Sequence, residues 1–289
     1  MAFRNAVFAG GGSRCFWQLG FWEGAIDAGL GLRDSVKFFG STSAGCAMTT
    51  AAILDRSFDA LELFKDMTGK NPANIHWQNL HPRRRAPVLP HARMYREALR
   101  VLMQPEDLPE LKRSTVHFLM SGSPSWVRGR ASMFLGFSIY ALEQTLLNPI
   151  HPTWPKRAGY RPLVGRVADC NTLDELVELI LAASCIPPVL PGGRHRDEPV
   201  LDGGLIDNVP IELADDQPGD TLVLMSQRYE NTPRKRPGMT YVQPSKTIKI
   251  DKFDYANPDG LQETFELGLH DGARFAEQVR EPYEETHAP

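Results

Sequence analysis

Phe38-Phe39-Gly40-Ser41-Thr42-Ser43-Ala44-Gly45-Cys46-Ala47 is an apolar run that breaks into small residues around one serine and then becomes compatible with a helix. A strand that delivers a serine onto a sharp bend into a helix exposes the hydroxyl, and such a bend tolerates only small side chains two places either side. Ser41 and Gly45 meet that demand, so Ser43 is the candidate nucleophile. The helix that follows, with Ala44, Ala47, Ala51 and Ala52, is slim enough to lie close to a sheet. Its first N–H groups would face negative charge forming at the serine. The bland alternative is an ordinary surface serine in a glycine-containing turn, and one G-x-S-x-G-like string cannot decide between the two.

Upstream, Ala6–Ala9 reads as a short buried strand, Gly10-Gly11-Gly12-Ser13-Arg14 as a glycine loop, and Leu19, Trp22 and Ile26 recur at helical spacing up to Gly29. A loop of this composition turns several backbone N–H groups into one small volume, because glycine accepts positive φ and close approach. It suits either a phosphate cradle or an oxyanion hole, or it serves only as a tight helix entry. The cradle fits poorly: Ser13-Arg14-Cys15 stands where a Walker loop needs G-K-[ST], and Cys15 takes the third glycine of a dinucleotide fingerprint. Val36–Phe39 is the next strand, delivering Ser43, with a helix over 44–54. Strand, helix, strand, helix within about fifty residues predicts a parallel sheet covered by helices. In such sheets the crevice lies beyond the carboxyl ends of the strands, where both signals fall.

Farther along, 58–67 and 91–103 are helical by pattern, and Asn71–Pro90 is an irregular stretch carrying Arg83-Arg84-Arg85. That triplet reads as a solvated loop or, more sharply, as a patch for anionic head groups, where each basic residue is worth about 1 kcal/mol. Thr115–Ser121 alternates as a strand. Met133–Leu147 is a greasy helical stretch whose first explanation is buried core; if exposed, it would wall or cover an acyl chain. Thr172-Leu173-Asp174-Glu175 opens a helix with a capping box. Glu198–Asp202 approaches a glycine turn, Gly203-Gly204, that would aim the Asp202 carboxylate into a crevice, although an Asp-Gly hairpin turn is the plain reading. Leu222–Met225 is a last buried strand, Arg234-Lys235-Arg236 a solvated loop, and Leu261–Val279 a closing helix.

Composition bounds these readings. The 289 residues, 42% hydrophobic with 23% charged, suffice for an ample core. Without an internal repeat or linker, one domain over 1–289 is the simplest organisation. A net charge of -3 gives no overall pull toward nucleic acid. Cys15, Cys46, Cys170 and Cys185 form no C-x-x-C pair and read as free thiols in a reducing compartment. No run approaches a membrane span and the first residues do not make a signal peptide, so a soluble cytoplasmic protein is expected. No EF-hand loop is present, and neither metal nor cofactor is expected.

Taken together, the ordered set resembles the patatin-like phospholipases, whose signals are G-G-G-x-[KR]-G, then G-x-S-x-G, then D-G-[GA]. Here they stand as Gly10-Gly11-Gly12-Ser13-Arg14-Cys15, Ser41-Thr42-Ser43-Ala44-Gly45 and Asp202-Gly203-Gly204. Ala183-Ser184-Cys185-Ile186-Pro187 and Asp207-Asn208-Val209-Pro210 also look like the segments flanking the family's aspartate, so the likeness spans about residues 5–215. It implies a three-layer α/β sandwich with a mainly parallel central sheet, and a lipid acyl hydrolase in which Ser43 attacks an ester carbonyl and Asp202 acts directly as base. Amides of Gly10, Gly11 and Gly12, aided by Arg14, would hold the oxyanion. The implied partner is a lipid or other acyl ester, met with peripheral membrane contact. Two positions depart from the pattern: Ser41 replaces a glycine and is small enough to pass, whereas the Cβ of Cys15 would narrow the loop. The alternatives are a Ser43-Asp202-His270 triad and a lipid- or partner-binding module with a damaged loop.

Overall fold

The computed structural model describes residues 2–81, 86–127, 129–147, 149–229 and 236–284. Arg83-Arg84-Arg85, Arg234 and Lys235 lie outside them. In chain order the main elements are β1 (Phe3–Phe8), α1 (Phe16–Asp27), β2 (Phe38–Thr42), α2 (Ala44–Ile53), α3 (Ser57–Gly69), α4 (His91–Leu102), β3 (Thr115–Gly122) and α5 (Gly129–Leu147). They continue as β4 (Arg161–Arg166), α6 (Leu173–Ala183), β5 (Arg194–His195), β6 (Glu198–Asp202), β7 (Asp220–Leu224), β8 (Met239–Val242) and α7 (Pro258–Glu284).

The strands form one mixed sheet in the order β5-β6-β3-β2-β1-β7-β8, with β4 also paired to β3. Its centre is parallel: β1 pairs with β2 and β7, β2 with β3, and β7 with β8. Alternation along β1 and β2 feeds both faces. Ala6, Phe8 and Phe39 join the core beneath α1, α2 and α7, while Val7, Ala9 and Phe38 pack with Val209, Ile211 and Met225 on the other side. Each fully buried Val, Ile, Met or Phe among these contributes about 1.5–3 kcal/mol. The sheet is therefore the middle layer of a three-layer α/β sandwich, as the family resemblance implies.

One topological detail creates the site. β3 has two edges and three partners: β4 runs along His117–Gly122, so β2 at 115–119 and β6 at 120–122 must share the opposite edge. Thr42 pairs with Leu119, and Asp202 pairs with the very next residue, Met120. Asp202 thus arrives where β2 leaves the sheet and becomes Ser43, although 159 positions separate them in sequence.

Helices α1 and α7 hold the first and last parts of the chain together at backbone contact. A Cβ on Gly20 or Gly24 would fall 2.0–2.1 Å from the carbonyl oxygens of Phe265 and Leu269, and one on Gly268 or Gly272 would meet those of Trp17 and Phe21 at 2.1–2.2 Å. Glycine at spacing four on both helices lets the axes approach this closely. The segment just before α7, Ile250–Tyr255, is thereby brought across the start of α1.

Helix α5 departs from the expectation of buried core. Phe134 is 79% exposed and Leu146 62%, whereas Phe137 and Tyr140 turn inward against Leu119, Leu201 and Leu205. Composition alone does not reveal which apolar residues of a helix find a partner. No described helix is long and apolar enough to cross a membrane.

Candidate active site

Ser43 sits at φ 54 and ψ -138, a left-handed conformation that costs a side-chain-bearing residue about 1–3 kcal/mol and persists only where its surroundings enforce it. The enforcement is visible. A Cβ on Gly45 would lie 2.6 Å from the carbonyl oxygen of Phe8 and 2.7 Å from that of Ala9, so α2 begins in contact with the end of β1. A Cβ on Gly10 would lie 2.9 Å from the Cβ of Ser43. The glycine loop and the serine bend are therefore packed against each other, and Ser41 is accommodated as a fully buried residue of β2.

The loop is fastened by its own backbone groups. The Gly10 N–H donates to the Asn208 carbonyl at 3.0 Å, and the Gly10 carbonyl accepts from Asn208 Nδ2 at 3.0 Å and from the Ser226 hydroxyl. Gln18 Nε2 donates to the carbonyls of Ala9 and Leu224, each at 2.9 Å, which joins the loop to the ends of two neighbouring strands. The Gly11 and Gly12 N–H groups, in contrast, donate to no described residue. Gly12, at φ 59, faces the Lys252 carbonyl so closely that a Cβ would sit 2.0 Å from its oxygen.

Across from the loop, the Asp202 side chain is almost fully buried, and its Oδ1 accepts the Gly204 N–H at 2.6 Å. Its Oδ2 makes no hydrogen bond of normal geometry, yet the Ser43 hydroxyl is near enough to favour the ionised form. Catalytic hydrogen bonds in unliganded sites often tighten only when substrate is bound. Burial pushes the Asp202 carboxyl from 3.8 up to about 6, against the smaller opposing pulls of Ser43, the Gly204 amide and Lys252. A carboxylate of that basicity is still ionised at neutral pH and accepts a proton more readily than an ordinary aspartate.

Ser43, Asp202, Gly11, Gly12, Asn208 and Lys252 line one cavity of about 340 Å³, whose far side is formed by Phe137, Tyr140 and Ile186–Val189. A smaller apolar cavity of about 50 Å³ lies beyond Gly12 and Ala44, among Phe16, Met48, Phe64 and Leu99. Among the described residues, no His, Cys, Asp and Glu side chains gather in threes as a metal site requires.

Several expected site residues fall elsewhere. The Gly10 N–H is already committed to Asn208, so Gly10 shapes the loop without offering an oxyanion donor. Arg14 does not turn into the cavity: its Nε donates to the Ile250 carbonyl at 3.0 Å, its Nη1 to Gln227 at 3.2 Å, and its Nη2 pairs with Asp251 at 3.5 Å. Cys15 is buried with Sγ directed at the Ala9 carbonyl, 3.5 Å away, so the departure from glycine leaves the cavity unobstructed. His270 lies on the outer side of α7, its side chain 65% exposed beside Asp271, and no histidine among the described residues lines the Ser43 cavity. The histidine triad therefore lacks its third member. Lys252 and Ser226 had no signal in the sequence, whereas Tyr140 lies in the 133–147 stretch read as core or as a wall for an acyl chain. Asn208 had one, since its segment was recognisable.

Comparison with known proteins gives the family. The family model for patatin-like phospholipases matches residues 6–215, nearly three-quarters of the chain. Among solved structures, the crystal structure of VipD from Legionella pneumophila aligns with a TM-score of 0.42 at 9% identity, over 96% of this chain and 67% of that one. No curated protein sequence matches. The family match runs from β1 through the turn after Asp202, across all three motifs, and the chain belongs to the patatin-like phospholipase family.

Proposed function

We propose that the protein is a lipid acyl hydrolase that cleaves carboxylic esters through a Ser43–Asp202 dyad and an acyl-enzyme, its residues 1–289 acting as one catalytic domain. The observation that carries this reading is the convergence, on one cavity that no described histidine lines, of a strained serine, a carboxylate of raised pKa and two undonated glycine N–H groups. Ser43 Oγ attacks the carbonyl carbon while its proton passes to Asp202. The Gly11 and Gly12 amides receive the oxyanion. The intermediate collapses, the C–O bond to the alcohol breaks, and the leaving oxygen takes the proton back from Asp202. Water then repeats the sequence on the acyl-enzyme, releasing the carboxylic acid and restoring the serine. A positioned base contributes about 10²–10⁴-fold to such a reaction, and each oxyanion donor about 10²–10³-fold in turnover.

A binding module with a damaged loop is disfavoured by the position of Cys15, behind the loop rather than in the cavity. Exposed Phe134, Leu142 and Leu146 on α5, whose inner residues wall the same cavity, support peripheral contact with lipid. The test is hydrolysis of p-nitrophenyl butyrate and of phospholipid vesicles, with products identified by mass spectrometry. Fatty acid release by the wild type and none by Ser43→Ala supports the proposal; equal release by both contradicts it.

A further inference from the structure

The residue given the cationic role by the family motif is Arg14, and its guanidinium is fully engaged outside the cavity. What it engages is informative. Arg14 holds the Ile250 carbonyl and pairs with Asp251, which begins a clamped strap over Ile250–Tyr255. The Ser13 N–H donates to the Lys252 carbonyl at 3.0 Å, and the Ser13 hydroxyl to that of Asp254 at 3.1 Å. His91 Nε2 meets the Phe253 carbonyl at 2.8 Å, and Asn71 Nδ2 donates to that of Tyr255 at 2.7 Å. Asn74 both donates to Asp254 Oδ1 at 3.0 Å and accepts from the Tyr255 N–H at 2.6 Å. The Lys252 carbonyl also fills the space where any Cβ on Gly12 would go. Five side chains from three separate segments thus fix six residues of irregular backbone directly against the glycine loop.

Two residues of this strap, Lys252 and Phe253, line the cavity, and Lys252 is the charged one. It is half-buried, its ammonium has neither an ion-pair nor a hydrogen-bond partner among the described residues, and the charges that act on it are the Arg14 guanidinium and, across from the loop, the Asp202 carboxylate. Burial, with Arg14 adding to it, lowers the lysine's pKa, so an unpaired charge is being kept there at a cost. A fixed cation beside preorganised amides is the arrangement that stabilises charge appearing in a transition state.

We propose that Lys252 supplies the cationic member of the oxyanion hole, in place of Arg14, and that Arg14 is a positioning residue holding the strap that presents it. This rests on the Ser43–Asp202 reading and adds a residue lying outside the stretch matched by the family model. It assigns the ammonium to the oxygen of the reacting carbonyl, not to a head-group phosphate. An ester without phosphate separates the two sources of anionic oxygen.

The experiment compares wild type, Lys252→Met and Lys252→Arg on p-nitrophenyl butyrate and on phosphatidylglycerol vesicles, with fluorophosphonate labelling rates and melting temperatures. Methionine matches the lysine stem and removes an unpaired, half-buried charge, so the variant is expected to melt no lower than wild type. The expected result is a fall of about 10²-fold in kcat on both substrates, with KM changed less than twofold. Labelling of Ser43 slows in parallel, and arginine restores part of the rate. Wild-type turnover of the neutral ester by Lys252→Met overturns the proposal, and so does a loss confined to phosphatidylglycerol. Equal loss in both variants together with a lower melting temperature also overturns it, because the strap's role would then be structural. If the wild type itself neither turns over ester nor accepts the probe, the underlying dyad fails instead.

Discussion

One side of the Ser43 cavity is lined by backbone and the other by side chains. On the first, Gly10, Gly11 and Gly12 are pressed between Ser43, Asn208, Ser226 and the Lys252 carbonyl, and a single added Cβ would collide at 2.0–2.9 Å. On the second, Phe137, Tyr140 and Ala141 of α5 face Pro187 and Pro188 across open space, with exposed apolar residues behind them. The first side has no slack, as chemistry that depends on tenths of an ångström requires. The second needs only to be apolar and roughly the right shape, since hydrophobic contact is non-directional. Substitutions on the two sides should therefore damage different kinetic parameters.

The largest effect is expected for Asp202→Asn, which removes the proposed base while leaving an oxygen for the Gly204 amide: kcat on p-nitrophenyl butyrate falls about 10⁴-fold. Stability should move the other way. Because the folded carboxyl titrates at about 6 and the unfolded one near 3.8, the unfolded state loses its proton first, and wild-type stability declines as pH rises through that window. The difference is on the order of 3 kcal/mol. Asp202→Asn should thus melt higher than wild type at pH 8, with the gap closing below pH 4. The wild-type kcat/KM should also rise with pH to a plateau, with its midpoint near 6. A flat profile between pH 5 and 8 would separate Asp202 from the proton transfer.

Next comes Gly12→Ala, which places a methyl on the Lys252 carbonyl at a residue of positive φ. We expect a loss of about 10²-fold in kcat with KM little changed, measured on the same ester. On the apolar side, Phe137→Ala should raise KM for a long-chain ester several-fold and leave kcat within about twofold, because a lost contact there weakens ground and transition states alike. A kcat defect in Phe137→Ala equal to that of Gly12→Ala would erase the distinction between the two sides. The smallest effect belongs to Cys15→Ala, within about twofold in both parameters, since the thiol faces the Ala9 carbonyl behind the loop.

The same contrast explains what could be read before the structure. The backbone side was legible: β1, the glycine loop, α1, β2 and Ser43 follow one another in the chain, and close approach leaves glycine as its signature. Asp202 was legible for the same reason, through Gly203, whose Cβ would fall 2.3 Å from the Leu119 carbonyl oxygen. What could not be read was arrangement between distant segments. Strands β4, β5 and β8 were missed because Pro162 interrupts the first, the second has two residues, and the third is half-buried throughout. Arg14 looked catalytic because a motif records residue type and position but not where a long side chain bends. Lys252 belongs to no motif, and only the strap's fastening to the loop brings it to Ser43. The apolar character of α5 was plain, but its two-sidedness depends on neighbours that the helix's own sequence does not contain.

The central claim is that Ser43 is a nucleophile activated by Asp202 alone. Fluorophosphonate labelling of the intact protein, followed by mass spectrometry of the modified peptide and by rates for wild type, Asp202→Asn and His270→Ala, tests it most directly. The account predicts a single adduct on Ser43, formed at least 10²-fold more slowly in Asp202→Asn and at the wild-type rate in His270→Ala. An adduct on another residue, or labelling that is indifferent to Asp202 and abolished by loss of His270, would contradict it.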